Sequence, residues 1–422
     1  MADRPDRVSV IGLGYIGLPI AATIASRGID VIGVDTNERV AACIGAGKAH
    51  FSEPDLDILL RSTVQTETLR VVRKPEPADV FVIAVPTPIK PDRTADLSYV
   101  EAAARSIAPV LTCGDLIVIE STCPVGASER VCGWIAEERT DLKLPREGAD
   151  MTDIHVAYCP ERILPGRMLF ELIQNDRIVG GVTPACAEKA RAFYEIFVSG
   201  EIFVTKSRCA EAVKLLENAY RDVNIALANE VSVLFEKLNV DTWDAIRLAN
   251  KHPRVNVLNP GPGVGGHCIA VDPWFLISAN SNLAELMHTA RRVNDNKPQH
   301  VLDKVAKQIE RFKDPVVACL GVTYKPDVDD LRESPALDVA TQIAEQGLSR
   351  VLIVEPNLHK LPRKLAGIDC TELVDLNTAL ADADIIVVLV AHKHFRGIDR
   401  RNIYERIVID TVGAWQLQPG AS

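Results

Sequence analysis

One loop-like stretch surrounds a cysteine with residues that seldom build helices or strands. It reads NPGPGVGGHCIAVDPWF, from Asn259 to Phe275, and holds four glycines and three prolines around Cys268. Glycine lets backbone approach a ligand closely, and proline fixes the course of a loop. A thiol presented in this way can act as a nucleophile, and Asp272 follows it four residues later. The alternative is a tight loop around a small buried thiol.

Two further groups could do chemistry with this cysteine. In a segment with helical apolar spacing, Lys214, Asn218 and Arg221 are four and three residues apart, which puts them on one helix face. In CPERILPG, Glu161 follows Pro160 in a predicted loop. An ammonium, an amide and a carboxylate can stabilise developing charge or transfer protons. The ordinary alternative for such a stripe is a solvated surface.

A glycine pattern near the N-terminus predicts a dinucleotide site. Gly12, Gly14 and Gly17 form G-x-G-x-x-G between a predicted strand and a predicted helix, and Asp35 closes the next strand. Such glycines let a pyrophosphate approach the backbone, and the helix N-terminus supplies N–H donors. Asp35 can accept hydrogen bonds from ribose hydroxyls and would repel a 2′-phosphate. The pattern therefore favours NAD over NADP, against the alternative of a purely structural turn.

Alternating strand-like and helix-like segments must position these groups. RVSVIGLG, DVIGVD, DVFVIAVPTP and DLIVIESTCPVG predict buried strands, and GLPIAATIASRG predicts a helix. Thr87 and Thr122 end two of the strands, where an open α/β sheet places its ligand. After about Pro315, PVVACLGV, RVLIVEP, ADADIIVVLVAH and RIVIDTVGAW predict strands again, and SPALDVATQIAEQG predicts a helix. We expect an α/β protein with two Rossmann-like, doubly wound domains containing parallel sheets.

A long helix is predicted between the two α/β parts. The stretch CAEAVKLLENAYRDVNIALANEVSVLFEKLNV has helical apolar spacing and no glycine or proline. A long central helix with a small helical domain suits a homodimer or a higher homo-oligomer; the alternative is a buried core helix.

Composition narrows the function classes. The chain has 422 residues and a net charge of −10, which argues against a nucleic acid or an anionic membrane as the main partner. The start MADRPDRVSV has no apolar signal region. The ten cysteines are scattered without a CxxC pair, so we expect reduced thiols in a cytoplasmic protein, with no metal site.

The motifs together resemble those of the UDP-glucose/GDP-mannose dehydrogenase family. The matching stretches are GLGYIGLP, AVPTP, ESTCPVG, CPER, KLLEN, GVGGHC with Asp272, and YKPDVDDLRES, and they span essentially the whole chain. The resemblance implies an NAD-binding domain over residues 1–205, a central helical and dimerisation domain over 206–300, and a UDP-sugar-binding domain over 301–422. The segment KHPRVNVLNPGPGVGGHCIAVDPWF is most similar to members that oxidise UDP-N-acetyl-D-mannosamine.

The resemblance also implies a reaction. Carbon 6 of the sugar is oxidised from an alcohol to a carboxylate while two NAD are reduced, and the product serves a surface polysaccharide. The Cys268 thiolate captures the intermediate aldehyde as a thiohemiacetal, which becomes a thioester before hydrolysis. Lys214 and Asn218 stabilise the developing alkoxide, Asp272 assists as a base, and Glu161 transfers protons during hydrolysis. Thr122 positions the water and the nicotinamide.

The binding residues implied by the resemblance fall into two sets. Those expected to contact NAD are Gly12, Gly14, Tyr15, Ile16, Gly17, Asp35, Arg39, Thr87, Thr122 and Arg332. Those expected to contact the UDP-sugar are Arg162, Ile163, Lys214, Asn218, Arg221, His252, Arg254, Gly265, Tyr324 and Lys325. The bidentate guanidinium groups of arginine suit a diphosphate, and they explain how an acidic protein would hold an anionic substrate.

Two positions depart from the family pattern. Pro165 stands where UDP-glucose members carry a second glutamate, which argues against UDP-glucose as substrate. Val412, in DTVG, stands where a basic residue is usual, so one substrate contact is missing or supplied elsewhere.

Two alternatives to UDP-N-acetyl-D-mannosamine oxidation stay open from the sequence. UDP-N-acetyl-D-glucosamine differs only in the direction of one acetamido group, and no residue decides between the epimers. A non-catalytic protein that binds NAD or nucleotide sugars would be expected to lack the nucleophile or the helix lysine, and both are present.

Overall fold

The structure is a computed structural model that describes residues 4–148, 151–266, 268–398 and 403–415. The chain divides into two compact units, Met1–Leu216 and Glu217–Ser422. Each unit contains one sheet.

The first unit alternates strands and helices. Its strands are β1 (Arg7–Ile11), β2 (Asp30–Val34), β3 (Leu69–Val72), β4 (Val80–Ile83), β5 (Leu116–Ile119), β6 (His155–Tyr158), β7 (Arg177–Gly181) and β8 (Ile202–Lys206). Its helices are α1 (Gly17–Ala25), α2 (Glu38–Gly45), α3 (Leu56–Gln65), α4 (Ser98–Ile107), α5 (Ala127–Glu138), α6 (Met168–Gln174) and α7 (Pro184–Tyr194), with a 3₁₀ turn at Ala108–Val110.

The first sheet has the strand order β3-β2-β1-β4-β5-β6-β7-β8. The predicted parallel arrangement is confirmed for β1 to β6. By contrast, β7 pairs antiparallel with β6, and β8 pairs parallel with β7. Because of this reversal, the last two residues of β7 pair with the last two of β6, and the start of β7 runs on past the end of β6. Arg177 therefore lies next to the loop that carries Glu161.

Both faces of this sheet are buried, which explains why its strands are continuously apolar. In β4, Val80 and Val82 belong to one buried cluster, whereas Phe81 and Ile83 belong to another. Successive side chains of a strand point to opposite faces. Helices on both sides are therefore required, as the doubly wound arrangement predicts.

The long helix predicted from the sequence is α8 (Ser207–Lys237), which begins in the first unit and ends in the second. The second unit adds α9 (Thr242–Ala249), α10 (Asp272–Ala279), α11 (Glu285–Ile309), α12 (Pro335–Glu345) and α13 (Leu376–Asp382). Its strands are β9 (Val316–Leu320), β10 (Arg350–Val354), β11 (Thr371–Leu373), β12 (Ile385–Val388) and β13 (Ile407–Asp410), with a 3₁₀ turn at Lys393–Phe395.

The second sheet is parallel throughout, with the order β11-β10-β9-β12-β13. The helix predicted for SPALDVATQIAEQG is confirmed as α12. The Ser334 hydroxyl caps it by accepting a hydrogen bond from the Leu337 N–H, and Pro335 is its first residue. The predicted domain limits at 205/206 and 300/301 stay predictions, and α11 runs through the second of them.

In the part of the chain that the structure describes, no helix is long and apolar enough to cross a membrane.

Candidate active site

The glycine turn after β1 has the geometry of a phosphate cradle. Gly12 adopts a φ of 90°, in the left-handed region that favours glycine, and its N–H donates to the Val34 carbonyl at 2.8 Å. A Cβ on Gly17 would lie 1.8 Å from the Gly12 carbonyl oxygen, so α1 packs directly onto the turn. A Cβ on Gly14 would meet no atom within 4 Å. The turn is therefore closed at Gly12 and Gly17 and open at Gly14, as a pyrophosphate site requires.

Asp35 is fixed at the end of β2 by backbone donors. Its Oδ2 accepts from the Leu13 N–H at 3.0 Å, and its Oδ1 accepts from the Asn37 N–H at 2.8 Å. Each carboxylate oxygen keeps a second lone pair for a ribose hydroxyl. Arg39 is exposed in the first turn of α2, where its N–H donates to the Asn37 side chain at 3.0 Å.

The remaining candidates for NAD contact in the first unit lie after its strands β1, β4 and β5. Tyr15 stacks on Phe51, with ring centroids 4.2 Å apart, and Ile16 packs against the buried cluster that contains α1. The Thr87 hydroxyl donates to the Thr122 carbonyl at 2.6 Å, which ties together the loops after β4 and β5.

The cysteine loop is held by its own backbone and by the segment before α12. The Cys268 carbonyl accepts from the N–H groups of Val271 at 3.0 Å and Asp272 at 2.8 Å. A Cβ on Gly265 would lie 2.4 Å from the Glu333 carbonyl oxygen, and one on Gly266 would lie 2.9 Å from the Tyr324 ring. These two glycines are thus required by packing inside the protein, a reason that the sequence did not reveal.

Cys268 differs from the buried cysteines in its surroundings. It is partly exposed, whereas Cys132, Cys159 and Cys319 are buried. Burial raises the pKa of Cys159 and of Cys319 to about 12, and it raises the pKa of Cys132 as well. Since the thiolate is the reactive form, these three thiols are poor nucleophiles.

Two of the predicted catalytic residues form a hydrogen bond with each other. The Asn218 amide, on α8, donates to the Asp272 carboxylate at 2.5 Å, and both side chains are buried. Asp272 is the first residue of α10, where a helix N-terminus favours a negative charge. The pair fixes the position of a carboxylate four residues after Cys268.

Lys214 and Glu161 also lie together. The Lys214 ammonium donates to the Glu161 carbonyl at 2.5 Å, so the helix lysine is anchored by the CPER loop. The Glu161 carboxylate is only 5% exposed; it accepts from the Arg162 N–H at 2.5 Å and from Arg177 Nη1 at 3.1 Å.

Sequence reasoning missed the group that surrounds Glu161. Arg177, Glu120 and Tyr194 are buried, and the Tyr194 hydroxyl donates to Glu120. Glu120 stood inside the ESTCPVG match but received no role of its own. The sequence feature that could have identified Glu120 was a charged residue next to an otherwise apolar strand. Arg177, at the start of β7, shows the same feature.

Several predicted substrate residues lie at or near the surface. Arg162 donates to the Asp176 carbonyl at 3.3 Å, and Ile163 packs against the buried cluster that contains α1. Arg221, His252 and Arg254 are exposed.

Among the candidates in the second α/β part, Tyr324 and Lys325 contact each other. The Lys325 ammonium lies 5.6 Å from the Tyr324 ring centroid, which is a cation–π distance, and Arg332 pairs with Asp330 at 2.6 Å. The Val412 N–H donates to Asp410 at 3.1 Å.

Comparison with known proteins identifies the family. Three domain models match in order: the NAD binding domain over residues 6–198, the central domain over 208–296 and the UDP binding domain over 318–417. The chain belongs to the UDP-glucose/GDP-mannose dehydrogenase family. It is an NAD-dependent nucleotide-sugar dehydrogenase, so the predicted family and cofactor are confirmed.

Relatives of this dehydrogenase align along nearly the whole chain. An NDP-N-acetyl-D-galactosaminuronic acid dehydrogenase from Ralstonia nicotianae is 53% identical, covering 97% of this chain and 96% of its own. A UDP-N-acetyl-D-mannosamine dehydrogenase from Yersinia pestis is 52% identical, with coverages of 97% and 99%. A solved UDP-D-ManNAc dehydrogenase from Pyrococcus horikoshii is 36% identical, with a TM-score of 0.87 and coverages of 98% and 97%.

The glycine turn of the dehydrogenase fits NAD. The open space at Gly14, the left-handed Gly12 and the lone pairs left on Asp35 correspond to the pyrophosphate, the tight turn and the ribose hydroxyls of a dinucleotide.

Proposed function

We propose that the dehydrogenase oxidises carbon 6 of UDP-N-acetyl-D-mannosamine to the carboxylate, in four electrons, through a covalent adduct on Cys268. The product would supply the uronic acid of a surface polysaccharide. The observation that carries the chemistry is the partly exposed Cys268 in its glycine loop, followed by Asp272 in hydrogen bond to Asn218.

The covalent route divides one difficult oxidation into two. After the alcohol has become an aldehyde, the Cys268 sulfur bonds to carbon 6 and gives a thiohemiacetal. Loss of a second hydride gives a thioester, whose C–S bond breaks when water adds, releasing the carboxylate and the thiol. NAD, when bound, accepts these two hydrides, one for each cofactor molecule. Covalent capture retains the reactive aldehyde between the two oxidations.

Four side chains are assigned to proton transfer and charge stabilisation. Lys214 and Asn218, four residues apart on α8, would stabilise the alkoxide at carbon 6. Asp272 would act as a base beside the thiol, held by Asn218. Glu161 would take a proton from the water that hydrolyses the thioester.

The binding residues follow from the same proposal. Gly12, Gly14 and Gly17 would cradle the pyrophosphate, Asp35 would bind the ribose, and Tyr15, Ile16, Arg39, Thr87, Thr122 and Arg332 would complete the NAD contacts. Arg162, Ile163, Arg221, His252, Arg254, Gly265, Tyr324 and Lys325 would contact the UDP-sugar. Exposed arginines and the Lys325 ammonium are suited to a diphosphate in a chain of net charge −10.

The identity of the sugar rests on similarity. The segment around Cys268 and relatives such as the Yersinia pestis enzyme favour the manno epimer. The Ralstonia nicotianae relative supports a second candidate, an N-acetyl-D-galactosamine nucleotide. Pro165, where UDP-glucose members carry glutamate, disfavours UDP-glucose.

We further propose that two copies pair through α8. Tyr220, Leu227 and Leu234 recur every seven residues and are 58%, 50% and 51% exposed, so they form one apolar stripe. Sedimentation of the wild type and of Leu227→Glu tests this proposal. We expect a dimer that the charge dissociates; a monomeric wild type would refute the pairing.

The experiment for the catalytic proposal counts NADH formed per sugar. Purified enzyme receives excess NAD and a limiting amount of UDP-N-acetyl-D-mannosamine, with the gluco and galacto epimers and UDP-glucose in parallel. Two NADH on the manno sugar alone are expected. One NADH would refute the four-electron reaction, and two on another sugar alone would leave the chemistry standing and change the substrate.

A matched pair of variants tests the nucleophile. Cys268→Ser should abolish steady turnover, because a serine hydroxyl is a far poorer nucleophile at neutral pH. Cys370→Ser is the control, since Cys370 is also partly exposed and lies in the second unit. Equal activity in both variants would exclude Cys268 as the nucleophile.

A further inference from the structure

A second carboxyl group lies buried behind Glu161 and has no role in the mechanism above. Glu120 directly follows β5 and is 2% exposed, while Arg177 at the start of β7 is 1% exposed. Glu161 lies in the loop after β6. The reversed strand β7 brings the guanidinium to the edge where the two carboxyl groups meet.

The charges in this cluster do not balance if both carboxyl groups are ionised. Arg177 pairs with the Glu161 carboxylate at 3.1 Å, whereas the Lys214 ammonium bonds to the backbone carbonyl of Glu161. The Tyr194 hydroxyl donates to one oxygen of Glu120. Burial raises the pKa of Tyr194 and raises the pKa of Cys159 to about 12, so both stay neutral. A buried carboxylate at Glu120 with no cation paired to it would be strongly unfavourable.

The hydrogen bonds of Glu120 indicate where the extra proton is. Its Oε2 is buried and accepts no hydrogen bond from any donor that the structure describes. A side-chain hydrogen bond with Glu161 is one of the causes that raise the pKa of Glu120. Two carboxylates cannot form such a bond, whereas a carboxylic acid and a carboxylate can. Burial, followed by the charge of Glu161, raises the pKa of Glu120 to about 8.

We propose that Glu120 is a positioning residue that remains protonated and donates a hydrogen bond to Glu161, which orients the Glu161 side chain against Arg177. This role rests on the proposed function of Glu161 in thioester hydrolysis. A neutral donor on one side and a guanidinium on the other orient the base without adding a second negative charge.

The arrangement makes hydrolysis sensitive to alkaline pH. When Glu120 loses its proton, the bond to Glu161 is lost and two carboxylates repel each other beside one guanidinium. At one pH unit above the pKa, about a tenth of Glu120 is still protonated. Between pH 7 and pH 9 the contribution of Glu120 should therefore fall about tenfold. A glutamine at position 120 donates from its amide at every pH, so this sensitivity should disappear in Glu120→Gln.

Infrared spectroscopy of the ligand-free, full-length protein tests the protonated state without any substrate. At pH 6.5 the wild type should show the C=O stretch of a buried carboxylic acid, absent from Glu120→Gln. Glu211→Gln is the control and should keep the band. Glu211 is also buried, but its carboxylate accepts hydrogen bonds from the Gly126 N–H and from the N–H and hydroxyl of Ser128. In Glu161→Gln the band should disappear at lower pH than in the wild type. An unchanged band in Glu120→Gln would overturn the proposal.

A kinetic measurement tests the positioning role. The rate of hydrolysis is followed as the decay of the Cys268 acyl adduct in a single turnover at pH 7 and pH 9. The ratio of the Glu120→Gln rate to the wild-type rate should rise about tenfold between these pH values. An equal ratio at both pH values would reduce Glu120 to a structural residue and refute the role. If no adduct forms in any enzyme, the proposed function fails, while the infrared result still decides whether the acid pair exists.

Discussion

The glycine turn allows a prediction that separates a residue required by folding from one required by NAD. The perturbations are Gly17→Ala and Gly14→Ala, three residues apart in the same turn. A Cβ at position 17 would lie 1.8 Å from the Gly12 carbonyl oxygen, which is backbone and cannot rotate away. A Cβ at position 14 would meet nothing within 4 Å. The first variant should therefore lose stability and the second should not.

The magnitudes follow from these contacts. Overpacking of a rigid site costs about 1–3 kcal/mol, and the helix preference of alanine over glycine returns up to about 1 kcal/mol. For Gly17→Ala a loss of about 2 kcal/mol corresponds to a Tm lower by roughly 4–8 °C. Gly14→Ala should keep its Tm or raise it slightly, because alanine reduces the freedom of the unfolded chain. Its methyl group would instead occupy the space proposed for the pyrophosphate.

The assay is thermal unfolding without NAD, combined with calorimetric titration of NAD. Gly14→Ala should raise the Kd for NAD by at least about fivefold, which corresponds to about 1 kcal/mol of steric conflict, at an unchanged Tm. Gly17→Ala should lower the Tm. An unchanged Kd in Gly14→Ala would refute the assignment of this open position to the pyrophosphate, and an unchanged Tm in Gly17→Ala would refute the packing argument.

Two further predictions concern buried charges in the second unit. Asp272→Asn should leave the Tm nearly unchanged, because the side-chain volume is kept and the Asn218 amide still has an acceptor. Its kcat should fall by about 10²–10⁴ because the base is lost. A kcat near the wild-type value would contradict the assignment of Asp272 as the base. Burial lowers the pKa of Lys297 to about 8 from 10.5, so its charge opposes folding below pH 8 and this penalty disappears as the pH rises towards 10.5. Lys297→Met should therefore raise the free energy of unfolding at pH 7 by up to about 3 kcal/mol, with a smaller gain at pH 10. Denaturant titrations at both pH values measure this gain. A gain that grows with pH would refute the conclusion that the charge of Lys297 opposes folding.

The sequence predicted most of the fold because its signals are local. Apolar strands such as β1, β4 and β9 are bounded by glycine, proline or polar residues, and the long helix α8 lacks helix breakers. The reversal at β7 could not be predicted. It depends on the chain between β6 and β7 beginning and ending at one edge of the sheet, and such a connection has no residue pattern of its own.

The site was predicted in part for a similar reason. Motif spacing placed Lys214 with Asn218, and Cys268 with Asp272, because each pair lies close in sequence. The contact between Asn218 and Asp272 and that between Lys214 and Glu161 depend on packing between elements, and no spacing encodes them. Glu120 was missed because its role arises only when β5, β6 and β7 come together.

The central claim is that carbon 6 becomes covalently bound to Cys268 during oxidation. The most direct measurement is mass spectrometry of enzyme quenched with acid during turnover of UDP-N-acetyl-D-mannosamine, followed by proteolysis to locate the added mass. We predict an acyl adduct on the peptide that contains Cys268, absent when NAD is omitted. Turnover to two NADH per sugar without an adduct, or an adduct on another cysteine, would contradict the account.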